Sequence, residues 1–394
     1  MSDRLILFAP EVFKNPHPTF AEARRRGPCP VEPGTFWAIS RYDDVLTVLK
    51  DARRFSSKGY GGRPRPAWMT ENPFGERMLT ELDPPEHTRL RQVVSRAFSA
   101  GAVARMEPWI RKAAAALAEE VVAAGEVDFV PAFALRLPAA VICRLVGFDL
   151  SLRERFKRWT DDTAVLLGPH SDDQIPRLRA TVAEMAQYLT ELIEARRRAP
   201  AEDLVSVLLQ SESEGALTAE ELMGFVRLLL LAGLETTVNL LSNTMVVLSD
   251  RRDVLARVLK DRGLVPALVE EVLRYETPAP LVFRRALEEV ALSGVTVPAG
   301  TSLVVLLGAA HRDERRFAQP DVFDLDRADR GNLPFGAGSH FCLGAQLARL
   351  EARVALEELF SRIRGFSRKS PEVAWLPSIN VHGPVALPLR FERA

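Results

Sequence analysis

The ten residues Phe335-Gly336-Ala337-Gly338-Ser339-His340-Phe341-Cys342-Leu343-Gly344 place a cysteine among glycines, directly before a segment of helical periodicity, LGAQLARLEARVALEELFSRI. Glycines let a backbone turn tightly and approach a flat ligand, and they leave amides free to point at a sulfur. A cysteine at a helix start meets unpaired N–H groups and the positive end of the helix dipole, which favour thiolate over thiol. Negative charge fixed on sulfur and moderated by hydrogen bonds is what an iron ligand requires. Two plainer readings compete: a buried thiol that happens to start a helix, and a phosphate-cradling loop. The second fails, because no Lys-Ser/Thr follows the glycines and no strand obviously precedes them.

Three other constellations carry polar groups at helical spacing. Ala232-Gly233-Leu234-Glu235-Thr236-Thr237 sets an acid and an alcohol side by side in an apolar stretch, an expensive choice unless protons must pass. Gly233 lets such a helix run close to a cofactor, or relax locally so that a water enters. The plainer reading has Thr236 bonding back to its own helix and Glu235 reaching solvent. Glu271-Val272-Leu273-Arg274 puts an acid and a base three apart on one helical face, which on its own describes an ordinary surface pair. Asp83-Pro84-Pro85-Glu86-His87-Thr88-Arg89-Leu90-Arg91 opens a helix with prolines and then spaces His87 and Arg91 by four, an arrangement able to clamp a carboxylate.

These groups need a largely helical frame. Helical patterning dominates from residue 87 to about 275, with segments at 102–122, 137–145, 152–164 and 181–198. Thr218 followed by Glu221 reads as a capping box for a long helix reaching about Leu248, apolar on nearly every side and therefore the central buried rod. A further helix spans 266–275. Strand signals are short and scattered: 35–40 before a helix at 41–49, then 290–297, 301–307 and 385–391. A small sheet beside a helical bulk is expected. With no repeat and no Gly/Ser linker, residues 1–394 are read as one integrated domain, mainly α with a smaller β region. The irregular stretch 56–74 reads as a functional loop.

Composition narrows the class. Lys plus Arg and Asp plus Glu number 52 each among 394 residues, so no global field attracts a polyanion and nucleic acid is not an expected partner. The N-terminus reads as neither signal peptide nor membrane anchor, which points to a cytoplasmic protein. Three widely separated cysteines, Cys29, Cys143 and Cys342, fit neither a disulfide framework nor a zinc cluster. Cys143 reads as a buried thiol in an apolar run.

The cysteine segment resembles the cytochrome P450 ligand signature Phe-Gly-x-Gly-x-His-x-Cys-x-Gly and continues into Ala348-Arg349, as that family does. Bacterial members commonly carry His where this chain has Asn332. The Glu271/Arg274 pair resembles the family's Glu-x-x-Arg, and the Ala232 to Thr237 segment its oxygen-activation motif. His311-Arg312-Asp313-Glu314, Phe317, Pro320, Phe323 and Arg327 continue the pattern, with His311 where Asn is usual. The resemblance implies the cytochrome P450 fold and haem b as cofactor, with Cys342 ligating the iron. It further implies that Phe335, Gly336, Gly344, Ala232 and Gly233 border the haem, and that His87, Arg91, Arg284 and His340 hold its propionates. Arg285 is the alternative to Arg284 by a register error of one. Glu271 and Arg274 would organise the proximal core, and Glu235 and Thr236 would deliver protons.

The resemblance also implies a monooxygenase that takes dioxygen, a small hydrophobic organic substrate, and electrons from a ferredoxin with its NAD(P)H-dependent reductase. Arg91, Arg96, Arg105, Arg111, Lys112, Arg349, Arg353, Arg362 and Arg364 suggest a basic surface for an acidic ferredoxin, or simply solvated helix faces. In the family the pocket is lined by segments that correspond here to 60–79, 156–185, 225–232, 279–283 and 378–381. Candidate substrate contacts are Trp68, Arg227, Leu228, Val282 and Asn380. Arg227 would anchor a substrate carboxylate or pair with an acid at the surface. Two other functions compete: a peroxide-dependent peroxygenase with the same ligation, against which the Glu235-Thr236 pair argues, and a haem-binding sensor or carrier without turnover.

Overall fold

The computed structural model describes residues 4–394 apart from 33, 35, 59–76, 167–170 and 330. Its main helices are α1 (His17–Arg26), α2 (Tyr42–Lys50), α3 (Glu86–Ser95), α4 (Ala100–Ala124), α5 (Arg136–Val146), α6 (Arg153–Leu166) and α7 (Ile175–Arg198). They continue as α8 (Leu204–Ser213), α9 (Ala219–Ser249), α10 (Arg252–Lys260), α11 (Val265–Tyr275) and α12 (Ala345–Phe360). The fold is mainly α with a smaller β region, as expected. The segments read at 102–122, 137–145 and 152–164 match α4, α5 and α6 to within two residues at each end. α7 begins six residues before the expected 181, because Ser171 and Gln174 cap the turn ahead of it and Pro176 fits its first turn.

The long helix α9 starts as its sequence dictates. Glu221 N–H donates to Thr218 Oγ1 at 3.2 Å and Thr218 N–H donates to Glu221 Oε2 at 3.0 Å, the reciprocal box. Its length and apolar composition would suffice to cross a membrane, but 72% of its most apolar window is buried inside the protein. It packs against α5, α6, α11 and α12 and forms the axis of the largest apolar core, to which Leu230, Leu234, Leu241 and Met245 contribute.

The strands are β1 (Cys29–Val31), β2 (Phe36–Ile39), β3 (Phe55–Ser56), β4 (Glu126–Asp128), β5 (Leu281–Ala286), β6 (Val290–Leu292), β7 (Val295–Val297), β8 (Ser302–Leu306), β9 (Ile363–Arg368) and β10 (Pro388–Arg393). One sheet runs β1-β2-β8-β5-β3, a second β4-β10-β9, and β6-β7 is a hairpin. Within the first sheet β8 is parallel to β2 and antiparallel to β5. Every residue of β8 is buried: Leu303 and Val305 join a core with α2, while Val304 and Leu306 join another with Phe20 of α1. The strand expected at 385–391 begins only at Pro388. The 279–283 segment, expected only as pocket lining, supplies the start of β5.

Candidate haem-thiolate site

The cysteine loop is held by its backbone. Gly336 and Gly338 have φ of +71° and +72°, the left-handed region that glycine adopts without strain. At Gly338 a side chain would also run into the carbonyl of Leu49 and stand 3.0 Å from Lys50 Cα, so only glycine fits against α2. Cys342 N–H donates to Phe335 O at 2.9 Å and closes the loop. The helix proper begins at Ala345 after Gly344, so Cys342 precedes its first turn by three residues and does not lie within it. The N–H groups of Gly344 and Ala345 nevertheless point at the sulfur. Cys342 has accessible surface, yet protein surrounds it deeply, so that surface opens inward. Burial raises its thiol above the ordinary value, and the two amides with the guanidiniums of Arg91 and Arg349 work against that rise.

Beside this loop lies a cluster of cations and imidazoles. His87 and His340 face each other with ring centroids 4.0 Å apart, and both ring nitrogens of His87 and Nε2 of His340 are buried without a partner. Burial, then Arg91, lowers His87 to about 4; burial, then Arg284, His87 and Arg91, lowers His340 to about 3. Asp83, whose charge acts against the lowering of His87, is already bonded by Ser56 Oγ and by the Ser57 N–H at 2.8 Å. Unpartnered buried donors with two arginines form a receptor for carboxylates, which fits the propionates of a haem. Arg284 is buried, opposite Leu303 in the β5–β8 ladder, whereas Arg285 is exposed, so the register selects Arg284. Arg91 also braces the loop itself. Its Nη2 donates to Phe341 O at 2.6 Å, tying α3 to the residue before the sulfur.

On α9, Leu228, Ala232 and Thr236 form a stripe, four residues apart, that stays accessible while most of the helix is buried. Thr236 Oγ1 donates to Ala232 O at 3.0 Å, which is the back-bonded arrangement. Glu235 does not reach solvent. It is buried, 3.3 Å from Lys157 Nζ and 3.3 Å from Thr160 Oγ1, with its Oε1 left without a partner. Lys157 also pairs with Asp161, so two carboxylates share one ammonium. Gly233 does not relax the helix, which is α throughout; a Cβ there would lie 2.8 Å from Ile142 Cδ1, so the glycine serves the packing of α5.

A cytochrome P450 family profile matches residues 29–373. The chain belongs to the cytochrome P450 family. Cytochrome P450 monooxygenase PikC of Streptomyces venezuelae is 38% identical over 390 residues, 96% of this chain and 92% of PikC. The solved structure of the P450 CYP109Q5 from Chondromyces apiculatus is 40% identical and superposes with a TM-score of 0.89 over 100% of both chains. CYP109E1 from Bacillus megaterium, solved in complex with testosterone, is 35% identical with a TM-score of 0.89 over 97% of this chain and 99% of its own. This P450 is accordingly an oxidoreductase of monooxygenase type, and the family implies haem b on a cysteine ligand.

The Glu271/Arg274 pair of this P450 is a buried hub. Arg274 is fully buried and donates to both carboxylate oxygens of Glu271, at 2.7 and 2.9 Å, and to the carbonyls of His311, Pro320 and Val322 at 2.6 to 3.0 Å. Glu271 further accepts from the Asp324 N–H at 2.8 Å. His311 Nε2 accepts from the Leu333 N–H at 2.9 Å and its Nδ1 lies 2.8 Å from Thr277 Oγ1, which fixes a neutral tautomer; burial and Arg274 hold it at about 3. The P450's cysteine loop is thus tied to the hub through Leu333.

Of the proposed substrate contacts, Trp68 lies outside the described residues. Leu228, Val282 and Asn380 are partly accessible, whereas Arg227 is 5% exposed and desolvation lowers it to about 10. The expected basic surface along α12 is largely neutralised by the P450's own acids. Arg349 pairs with Glu270 at 2.5 Å, Arg353 with Glu107 at 2.8 Å, Arg362 with Glu358 at 2.9 Å, and Arg364 with Glu392 at 3.7 Å. Arg111 binds Glu107, Glu357 and Glu358 together. Sequence reading missed Lys157 as the partner of Glu235, since the two are far apart in the chain and nothing local marks the pair.

Proposed function

We propose that this P450 inserts one oxygen atom of dioxygen into a mid-sized, largely hydrophobic molecule, by hydroxylation or epoxidation, with electrons from a ferredoxin and its NAD(P)H-dependent reductase. When bound, haem b supplies the oxygen-activating iron. The observation that carries the reading is the buried Glu235, held by Lys157 and adjacent in sequence to Thr236. A carboxylate placed at that depth beside a hydroxyl is positioned to move protons between the outer ammonium and the accessible stripe of α9. Cys342 would hold the iron, and His87, His340, Arg91 and Arg284 the propionates. The accessible stripe with Val282 orients an apolar substrate, and the testosterone complex of CYP109E1 supports a rigid, lipid-like class.

A library screen reading the low-to-high-spin Soret shift identifies the binder. Product formed per NADH consumed, with surrogate ferredoxin and reductase, then tests the reaction. Thr236→Ala is expected to keep the substrate shift while product per NADH falls severalfold. Product formed only with added peroxide would assign a peroxygenase instead, and unchanged coupling in Thr236→Ala would remove it from proton delivery.

A further inference from the structure

The accessible stripe of α9 formed by Leu228, Ala232 and Thr236 stops at Thr236, although its spacing continues to Asn239 and Asn243, which are both buried. A hairpin roofs those two positions. Residues 374–385 fold back through the Trp375–Pro384 bridge, with Leu376 N–H donating to Gly383 O at 2.9 Å and Val385 N–H to Ala374 O at 2.8 Å. Gly383 lies so close to Asn239 that a Cβ there would run into its side chain, and Asn243 Nδ2 donates to His382 O at 2.9 Å. At the tip, Asn380 and Val381 are partly accessible between the buried Ile379 and His382.

The side chain of His382 fixes that tip a second time. Its ring stacks on Trp375 with centroids 4.2 Å apart and planes at 10°, and its Nε2 lies 2.9 Å from Glu276 Oε1. The His382 N–H donates to Pro278 O at 2.8 Å, which bonds the hairpin to the chain leading into β5. Glu276 is the common anchor. Its carbonyl accepts from the same Asn243 Nδ2 at 3.1 Å, while its carboxylate also meets His17 Nε2 at 3.2 Å and lies 3.8 Å from Arg312 Nη2. Burial works to raise its carboxyl, and His17 and His382 together hold it below the ordinary value. α9, the 279–283 segment and the hairpin, all read as pocket lining, thus converge on one charged side chain.

We infer that Glu276 is a positioning residue for the substrate: by way of His382 it pins the hairpin tip across the end of the α9 stripe, and the tip limits how large a molecule fits beside Thr236. The inference deepens the pocket reading above and rests on it. Without the His382–Glu276 bond the hairpin keeps its backbone bonds, but the tip shifts more freely and a large ligand must order it on binding. A small ligand that never reaches the tip meets no such cost.

The test uses the full haem-loaded chain and imidazoles of graded size, from imidazole itself to phenyl- and trityl-substituted forms, with binding read from the Soret shift. His382→Phe keeps a ring on Trp375 and leaves Glu276 its contact with His17, so no carboxylate is stranded. His382→Gln returns an N–H donor near the lost Nε2. In His382→Phe the peptide spanning 376–383 is expected to exchange its amide hydrogens about three- to tenfold faster. Bulky imidazoles should bind about three- to tenfold more weakly, and imidazole itself should change by less than about twofold. His382→Gln should recover most of both effects. Glu276→Leu should reproduce the His382→Phe pattern and add little to it in the double variant. Unchanged exchange in His382→Phe, or an equal loss for imidazole and its bulky forms, overturns the inference. So does a loss that glutamine fails to rescue, because packing of the ring and not its bond would then hold the tip. If Glu276→Leu binds the bulky forms as the parent does, the positioning role falls to His382 alone. None of these readouts needs a ferredoxin or a product, so a chain that proves to require peroxide would fail the monooxygenase reading and leave this result standing.

Discussion

Lys157 Nζ stands 3.3 Å from Glu235 Oε2, a buried contact that ties α6 to the middle of α9. Removing the ammonium leaves an uncompensated carboxylate in the interior. Lys157→Met is therefore expected to cost on the order of 3 kcal/mol in stability and to lower product per NADH, with the carbon monoxide band unchanged. Denaturant titration and coupling measurements on one preparation check both halves. A variant as stable and as well coupled as the parent would dissociate Lys157 from the relay.

Asp161 gives this cluster a pH dependence. Burial, and then the nearby Glu235 charge, raise its carboxyl to about 6 from the ordinary 3.8, against the pull of Lys157. The folded protein thus binds a proton that the unfolded chain has released, so this group's contribution to stability falls as pH rises from about 4 to about 6. Asp161→Asn should flatten that part of the stability profile. It should also flatten any change in coupling across the same interval, because Lys157 then serves Glu235 alone at every pH. A persisting slope would assign the titration to another group.

Cys342→Ser should abolish the red-shifted carbon monoxide band of a thiolate ligand. Cys29 and Cys143 are both buried, and burial raises both thiols, Cys143 to about 12. Neither is suited to replace the lost ligand. Retention of the band would contradict the assignment.

Arg274 makes five hydrogen bonds with no exposed surface, so Arg274→Ala strips buried Glu271 of its bidentate partner, leaving it Arg327 and the Asp324 N–H, and strands the carbonyls of His311 and Pro320. A loss of about 3–5 kcal/mol is expected, read as a drop in folded yield and in retained haem. Arg274→Lys should recover little, because one ammonium cannot span the forked geometry. Full rescue by lysine would show that charge alone suffices.

Gly338→Ala combines a φ of +72° with a collision against the backbone of α2. It should cost about 1–3 kcal/mol and loosen the cysteine loop, seen as faster haem transfer to apomyoglobin. Gly101→Ala is the control. That position lies in the first turn of α4 outside the left-handed region, and a Cβ there meets nothing nearer than the Arg105 guanidinium at 3.7 Å, so little change is expected.

The legible parts of this molecule were the local ones. The capping box at Thr218 and the cysteine loop are written in a few adjacent residues, and the structure forms both nearly as read. The clasp in which Glu276 meets His17 at 3.2 Å and His382 at 2.9 Å was not legible. It joins the start of α1, the end of α11 and the C-terminal loop, and no spacing connects such distant positions. The pairing of the arginines on and beside α12 was hard to read for a related reason. Lys and Arg are visible in a sequence, and so are partners close in the chain such as Glu358 for Arg362, but other neutralising glutamates come from other helices. Arg349 takes its partner from α11, and Arg353 takes one from α4.

The strand β8 carries a consequence for alignment. Both of its faces are apolar and buried, so sliding it by one residue would exchange Leu303 and Val305 for Val304 and Leu306 with no change in polarity. Hydrophobicity cannot tell the two threadings apart. Anchors at the ends of the β5–β8 ladder can: Gly308 N–H donates to Pro280 O at 3.0 Å, and at the other end Ala286 N–H donates to Thr301 O at 2.9 Å. The same bonds hold β5, whose own slip by one residue would swing Arg284 to the opposite face of the sheet and present Arg285 in its place. The choice of which arginine lies near His340 is thus made by two backbone bonds at the margins of the ladder.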